Sequence, residues 1–304
     1  MKKLRHSYFY KRFAALIHRI TVKCNPRYEA IRCYKNIFGV SPNLDEPKDF
    51  IEKTYWLQLN TDTSLWTKCA DKYKMREYVE DCKLSHLLPQ LYGVWSKVED
   101  INFDLLPSAF VLKTNHATET CIIVRDKNSL NIEQTRKTLE QWLSIKFGYS
   151  GVQLHYLKIK PLIIAEELLI ADKEQEIISP HSLIDYKIYC CDGIPQCVWV
   201  AYNRTHEHGV DMNLYDMDWV AHPEWTVDMP YYHYKDVEIP KPECFDNLIE
   251  YCKILAKPFP EVRLDFYVIN NKPYIGELTF TSGYGFFTKE FYEYLGSKVD
   301  ISKI

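Results

Sequence analysis

The sequence predicts an α+β fold with a mostly helical N-terminal region, and three observations lead there. Through the first hundred residues apolar positions recur at three- and four-residue intervals, as in Ile51–Leu59 and Lys72–Cys82, the spacing of one buried helix face. After Pro107 short apolar runs alternate with helical stretches. Two pairs of these runs are joined by tight turns, at Asp192-Gly193 and at Asn270-Asn271-Lys272, and strands joined so closely pair antiparallel. Helices mixed with hairpins favour α+β over a doubly wound parallel sheet.

Taken in order, residues 1–28 carry eight Lys/Arg and no acid. Phe9, Phe13, Leu16, Ile17 and Ile20 recur there at helical spacing. Lys11, Arg12, His18 and Arg19 interrupt the apolar run, which argues against a signal-peptide core. Such a helix either lies on an anionic membrane surface or docks on the protein with a solvated face. Asp71 is placed to cap the helix that follows it. Phe110–Lys113 and Cys121–Val124 read as short strands around the polar loop Thr114–Thr120, and Ile132–Phe147 as a helix. Leu162–Ile170 is an apolar stretch broken by Glu166 and Glu167. Asp185–Cys190 and Gln196–Tyr202 form a hairpin. Ala221–Pro242, rich in Pro, Tyr and Trp, reads as a long irregular excursion of the kind that carries function. Phe245–Ala256 is helical, and residues 263–280 form a last hairpin.

Composition removes several function classes. The chain has 304 residues, 46% of them hydrophobic, enough for a substantial core. A mean hydropathy of -0.32 and the lack of a long apolar run argue against a transmembrane span. A formal net charge of -3 gives no reason to expect nucleic acid. The ten Cys show no C-x-x-C pair and no zinc-site spacing. They read as reduced thiols of a cytoplasmic protein.

The chemistry concentrates in the last hairpin. Arg263, Asp265 and Tyr267 alternate with Leu264, Phe266 and Val268, the period of a half-buried strand. With Asn270-Asn271-Lys272 as the loop, Ile269 faces Pro273, Asp265 faces Glu277 and Arg263 faces Thr279. Directly opposed like charges destabilise a sheet. A hard divalent cation between them removes the repulsion, and Mg²⁺ typically takes one or two carboxylates plus phosphate oxygens. Arg263 is then placed for a phosphate. The plainer alternative is a solvent-facing sheet with casual charges, and a two-residue turn would put Asp265 and Glu277 on opposite faces.

Other segments add to this. Lys113 ends a strand beside a loop holding Asn115, His116, Thr118, Glu119 and Thr120, which suits a phosphate cradle. Asp185 and Lys187 share a strand face and also read as a surface ion pair. Glu166 and Glu167, in an apolar run, need hydrogen-bond donors such as an adenine amino group or a ribose hydroxyl.

The stretches DKYKMREYV (71–79), FVLKTNH (110–116), IIAEELL (163–169), DYKIYCCDG (185–193) and RLDFYVINNKPYIGELTF (263–280) occur in that order. Together they resemble the ATP-grasp superfamily, and within it the TupA-like family named for teichuronopeptide biosynthesis. The resemblance implies an ATP-grasp fold, with two α+β subdomains (70–165 and 166–304) gripping ATP behind a helical region (1–69). It implies that Lys113 and His116 lie at the nucleotide phosphates, that Lys187 and Arg263 steady them catalytically, and that Asp265 and Glu277 hold Mg²⁺. The hinge with Glu166, Glu167 and Leu169 would read the adenine edge, and Asp172 or Glu174 the ribose. The loop His116-Ala117-Thr118-Glu119-Thr120 departs from the Gly-rich pattern usual there.

The activity implied is ligation of a carboxylate to an amine through an acyl phosphate, in cell-surface polysaccharide biosynthesis. Its substrates would be small or glycan-linked carboxylates and amines. An ATP-dependent kinase of a sugar hydroxyl and a non-catalytic nucleotide-binding module stand as alternatives. The setting expected is the cytoplasm, with the basic N-terminal helix as the point of peripheral contact with the inner face of the membrane.

Overall fold

Among the described residues, five α-helices precede the first sheet. They are α1 (Tyr8–Cys24), α2 (Pro26–Phe38), α3 (Phe50–Asn60), α4 (Ser64–Ala70) and α5 (Lys74–Asp81). The computed structural model describes residues 8–304 apart from Asp228, with the side chains of residues 8–14 and Ser150 left aside. The part of the N-terminal reading that falls on residues 1–7, or on the side chains of Phe9, Lys11, Arg12 and Phe13, lies outside the described residues. Local signals set the helix starts. Asn25 accepts from Tyr28 N at the head of α2, and Asp49 and Glu52 form a reciprocal capping box on α3. Asp71 accepts from Tyr73 N and Lys74 N, satisfying first-turn donors of α5.

The first hundred residues are not wholly helical, because β1 (Leu91–Trp95) lies within them. Strands β2 (Phe110–Thr114), β3 (Cys121–Val124) and β4 (Ile163–Glu166) join it in an antiparallel sheet of order β1-β4-β2-β3. Helix α6 (Ile132–Leu143) closes one face of this sheet. Leu139 packs there with Phe110, Leu112, Ile163 and Ala165 in a small separate core. Because side chains alternate along a strand, Val111 and Lys113 of β2 turn to the other face.

The second sheet has six strands, β5 (Asp185–Cys191), β6 (Ile194–Thr205), β7 (Gly209–Asp216), β8 (Tyr232–Tyr234), β9 (Glu261–Ile269) and β10 (Lys272–Thr279). Their order is β10-β9-β5-β6-β7-β8, antiparallel except where β8 lies parallel to β7. A short helix α7 (Lys173–Ile178) follows the first sheet, α8 (Phe245–Ala256) packs on the second, and α9 (Lys289–Ser297) ends the fold. The N-terminal helices share the larger core with this second sheet. Phe50 of α3 meets Tyr189 of β5 with ring centroids 6.0 Å apart. Lys53 Nζ donates to the carbonyls of Gly296 and Val299 at 2.7 and 2.6 Å.

The last hairpin corrects the expected loop. Asn270 and Asn271 both adopt left-handed backbone, with φ of 49° and 59°. Asparagine tolerates that region, and two such residues make the tight two-residue turn whose twist matches the strands. Lys272 therefore pairs with Ile269, and Pro273 pairs with Val268. A bulge between Ile275 and Glu277 then inserts one unpaired residue, Gly276, and restores Glu277 opposite Asp265 and Thr279 opposite Arg263.

Candidate active site

A cleft of ≈ 550 Å³ lies between the two sheets, in the size range of small-molecule sites. Its walls include Lys72, Lys113, Glu166, Leu169, Asp185, Lys187, Asp265 and Glu277. Glu167 also lines it, whereas Arg263, His116, Asp172 and Glu174 do not.

On the first sheet Val111 lies directly opposite Glu166, which sets Lys113 on the diagonal of the same face. Lys113 Nζ contacts Glu166 Oε2 at 2.5 Å, and Arg76 Nη1 of α5 holds Oε1 at 3.1 Å. The donors that buried Glu166 needs are thus cations of the chain itself. Glu167 is tied to Gln90, its N–H donating to the Gln90 carbonyl at 2.8 Å and its Oε2 accepting from Gln90 N at 3.1 Å.

On the second sheet Lys187 of β5 stands opposite Asp265 of β9. Lys187 Nζ reaches Asp265 Oδ2 at 2.6 Å and Asp185 Oδ2 at 2.5 Å. Arg263 grips Asp265 with two donors, Nε at 2.7 Å and Nη2 at 2.8 Å, and Nη2 also reaches Thr279 Oγ1 at 3.2 Å. Both cations lie over the Trp199 ring, at 5.7 and 5.5 Å from its centroid. Burial pushes Asp265 up, but the Arg263 guanidinium and Lys187 ammonium outweigh it and hold the carboxyl below the ordinary range. For Asp185 the balance goes the other way. Burial raises it despite Lys187, and its Oδ1 is buried without a protein partner. Glu277 faces this group, held by Lys72 Nζ and Tyr156 OH, both at 3.4 Å.

An all-carboxylate pair of oxygen donors beside cations that suit phosphate fits Mg²⁺ better than a softer metal. Among the described residues no group of three or more His, Cys, Asp or Glu could hold a metal by itself. A cation here would take Asp265 and Glu277 and complete its shell with phosphate oxygens and water.

Several sequence candidates stand elsewhere. His116 is buried, its Nε2 facing the Ile145 carbonyl at 3.1 Å, and burial lowers its pKa. Asp172 caps α7 through Gln175 N and accepts from Asn270 N, so it ties the hinge to the last turn. Glu119 points to solvent with a left-handed φ of 58°. Lys72, Arg76, Tyr156, Trp199 and Arg204 belong to the site's surroundings and were not singled out in the sequence. Lys72 and Arg76 lie in the matched stretch 71–79, four residues apart, and that helical spacing was the available signal.

Two sheets line the cleft, and each brings to it a carboxylate clasped by two cations. The TupA-like ATP-grasp model matches residues 52–300, and the chain belongs to that family. A comparison with curated proteins finds no match. Among solved structures the chain is similar to D-alanine–D-alanine ligase from Bacillus anthracis complexed with ATP, at 14% identity and TM-score 0.43, covering 70% of this chain and 55% of that one. It is also similar to an L-amino acid ligase from Bacillus licheniformis, at 13% and 0.46, covering 77% and 49%. A third is the ATP-grasp ligase PsnB complexed with a phosphomimetic precursor variant, Mg and ADP, at 12% and 0.39, covering 83% and 62%. The chain spans about half the length of the first structures it matches, 49–57% of each.

Proposed function

We propose that this chain is an ATP- and Mg²⁺-dependent ligase that joins a carboxylate to an amine through an acyl phosphate, acting in cell-surface polysaccharide assembly. The observation that carries the reading is buried Asp265, held by Lys187 and Arg263 and facing Glu277 at the wall of the cleft. Lys113 and Lys187, one from each sheet, line the cleft and would supply positive charge to a triphosphate, with Arg263 behind them holding Asp265, and the stretch from Glu167 to Ile170 would supply a hinge for the base. Asp265 and Glu277 would hold Mg²⁺, which neutralises charge on the transferring phosphoryl group. A carboxylate oxygen of the substrate takes the γ-phosphoryl group and ADP leaves. The amine nitrogen then bonds to the acyl carbon, inorganic phosphate leaves, and the nitrogen gives up its proton. Positioning and fixed charge do most of this work. The substrates are a small or glycan-linked carboxylate, such as a uronic or amino acid, and an amine.

The test is a hydroxylamine trap run with ATP, Mg²⁺ and a panel of uronic and amino acids. The ligase reading expects a hydroxamate and matching ADP release. Phosphorylated sugar without hydroxamate would make the enzyme a kinase instead. Glu277→Gln should lower Mg-ATP turnover by about a hundredfold or more, about 3 kcal/mol of transition-state stabilisation. Unchanged turnover would overturn the metal assignment.

A further inference from the structure

Helix α1 faces the wrong way for an ordinary surface helix. Among the described side chains of α1, Val22, 1% exposed, is the buried one. One turn earlier His18 meets the Tyr149 carbonyl through Nε2 at 2.9 Å and Glu29 through Nδ1 at 3.2 Å. Arg19 lies over the Tyr149 ring at 5.6 Å. Ile20 stands two residues from Val22, about 200° around the helix. It is 52% exposed, with Leu16 at 53% and Ile17 at 48% beside it. A helix normally buries its apolar stripe and solvates the polar one. Here the apolar stripe is turned outward, and contiguous exposed apolar surface of this kind marks an interaction site.

Charge selects the occupant. Residues 1–28 hold eight of the chain's 38 Lys/Arg and none of its 41 Asp/Glu, so the remainder is net -11. A second copy would bring two basic segments together, which is repulsive. An apolar stripe flanked by cations is the pattern of a helix lying in a lipid interface. The acidic remainder would be repelled by the same surface, which orients the molecule with α1 downward. No described helix is long and apolar enough to cross a bilayer, so the contact is one of lying on the surface.

We propose that α1 docks this protein on an anionic lipid surface through Leu16, Ile17 and Ile20. The docking is independent of the ligase reading, since these side chains are not among those lining the cleft.

The full-length protein is sedimented with vesicles of phosphatidylcholine alone and with vesicles containing phosphatidylglycerol. Binding is expected only to the second kind and weakens as salt is raised. Ile20→Glu and Lys23→Glu should each weaken it by about tenfold, with thermal midpoint and ATP turnover unchanged because both side chains are exposed. Equal binding to both vesicles, no binding to either, or binding untouched by Ile20→Glu would overturn the proposal. So would a dimer seen without vesicles and lost in Ile20→Glu, which would make a second copy the occupant.

Discussion

The two sheets offer the cleft the same motif, a carboxylate between two cations, built to different standards. Asp265 draws Lys187 and Arg263 from within one sheet, and both cation side chains are 9% exposed. Glu166 draws Lys113 from a neighbouring strand but Arg76 from a helix, and Lys113 is 20% exposed. The first group is a fixed part of the sheet, backed by Trp199. The second bridges separate elements, and a partly solvated pair holds its partner weakly. On the proposed function Lys113 is the cation that an incoming phosphate would draw off, with Arg76 left to hold Glu166. Arg263, bidentate and buried, is there to keep Asp265 charged and in place.

The largest effect should come from breaking the rigid group. Asp265→Asn leaves two buried cations without their counter-charge and should cost about 3–5 kcal/mol of stability in a urea melt. Because the folded carboxyl lies below its ordinary value, its contribution is present above the unfolded pKa of about 3.9 and is lost as pH falls through the folded value. The gap between wild type and Asp265→Asn should accordingly narrow on acidification, and a gap constant with pH would count against the charge argument. Glu166→Gln should cost less, about 1–2 kcal/mol, since its cations keep some solvent. It should also tighten nucleotide binding by freeing Lys113, which isothermal titration would show. Equal costs for the two substitutions would erase the distinction between the groups. Smallest is Gly276→Ala, whose Cβ would stand 3.1 Å from the Tyr267 ring edge. About 1 kcal/mol is expected from that crowding, with turnover retained. A melt unchanged from wild type would show that the bulge has room to spare.

Much of the fold was legible where periodicity is long and regular. Phe245–Ala256 was read with its observed ends, and the hairpin at Asp192-Gly193 lies where its turn residues put it. Strand β1 was missed because five residues with Gly93 in the middle carry no alternation, and β8 because it is three residues long; β7 was missed although Val210, Met212 and Leu214 alternate with Asp211 and Asn213. The facing of Asp265 and Glu277 was reached through a loop the chain does not have, since period-2 reading does not register a bulge. Lys72 and Arg76 were not singled out in the sequence. Their partners Glu277 and Glu166 lie 205 and 90 residues away, and pairings at that separation leave no local pattern. His116, a polar residue in the loop after β2, turns its Nε2 to the Ile145 carbonyl and does not line the cleft.

The last hairpin behaves like a reading frame. Its turn is one residue shorter than expected and its strand one residue longer at Gly276, and the second change suppresses the first. Everything beyond the bulge, Glu277 and Thr279 included, keeps its facing only because the two shifts sum to nothing. A single insertion or deletion among the paired residues 272–275, with the turn and bulge unchanged, would invert which side of the sheet the carboxylate serves, whereas loss of Gly276 alone would leave it facing Asp265 on a plain ladder. Between its turn and its bulge this hairpin is thus free to change length only in matched steps.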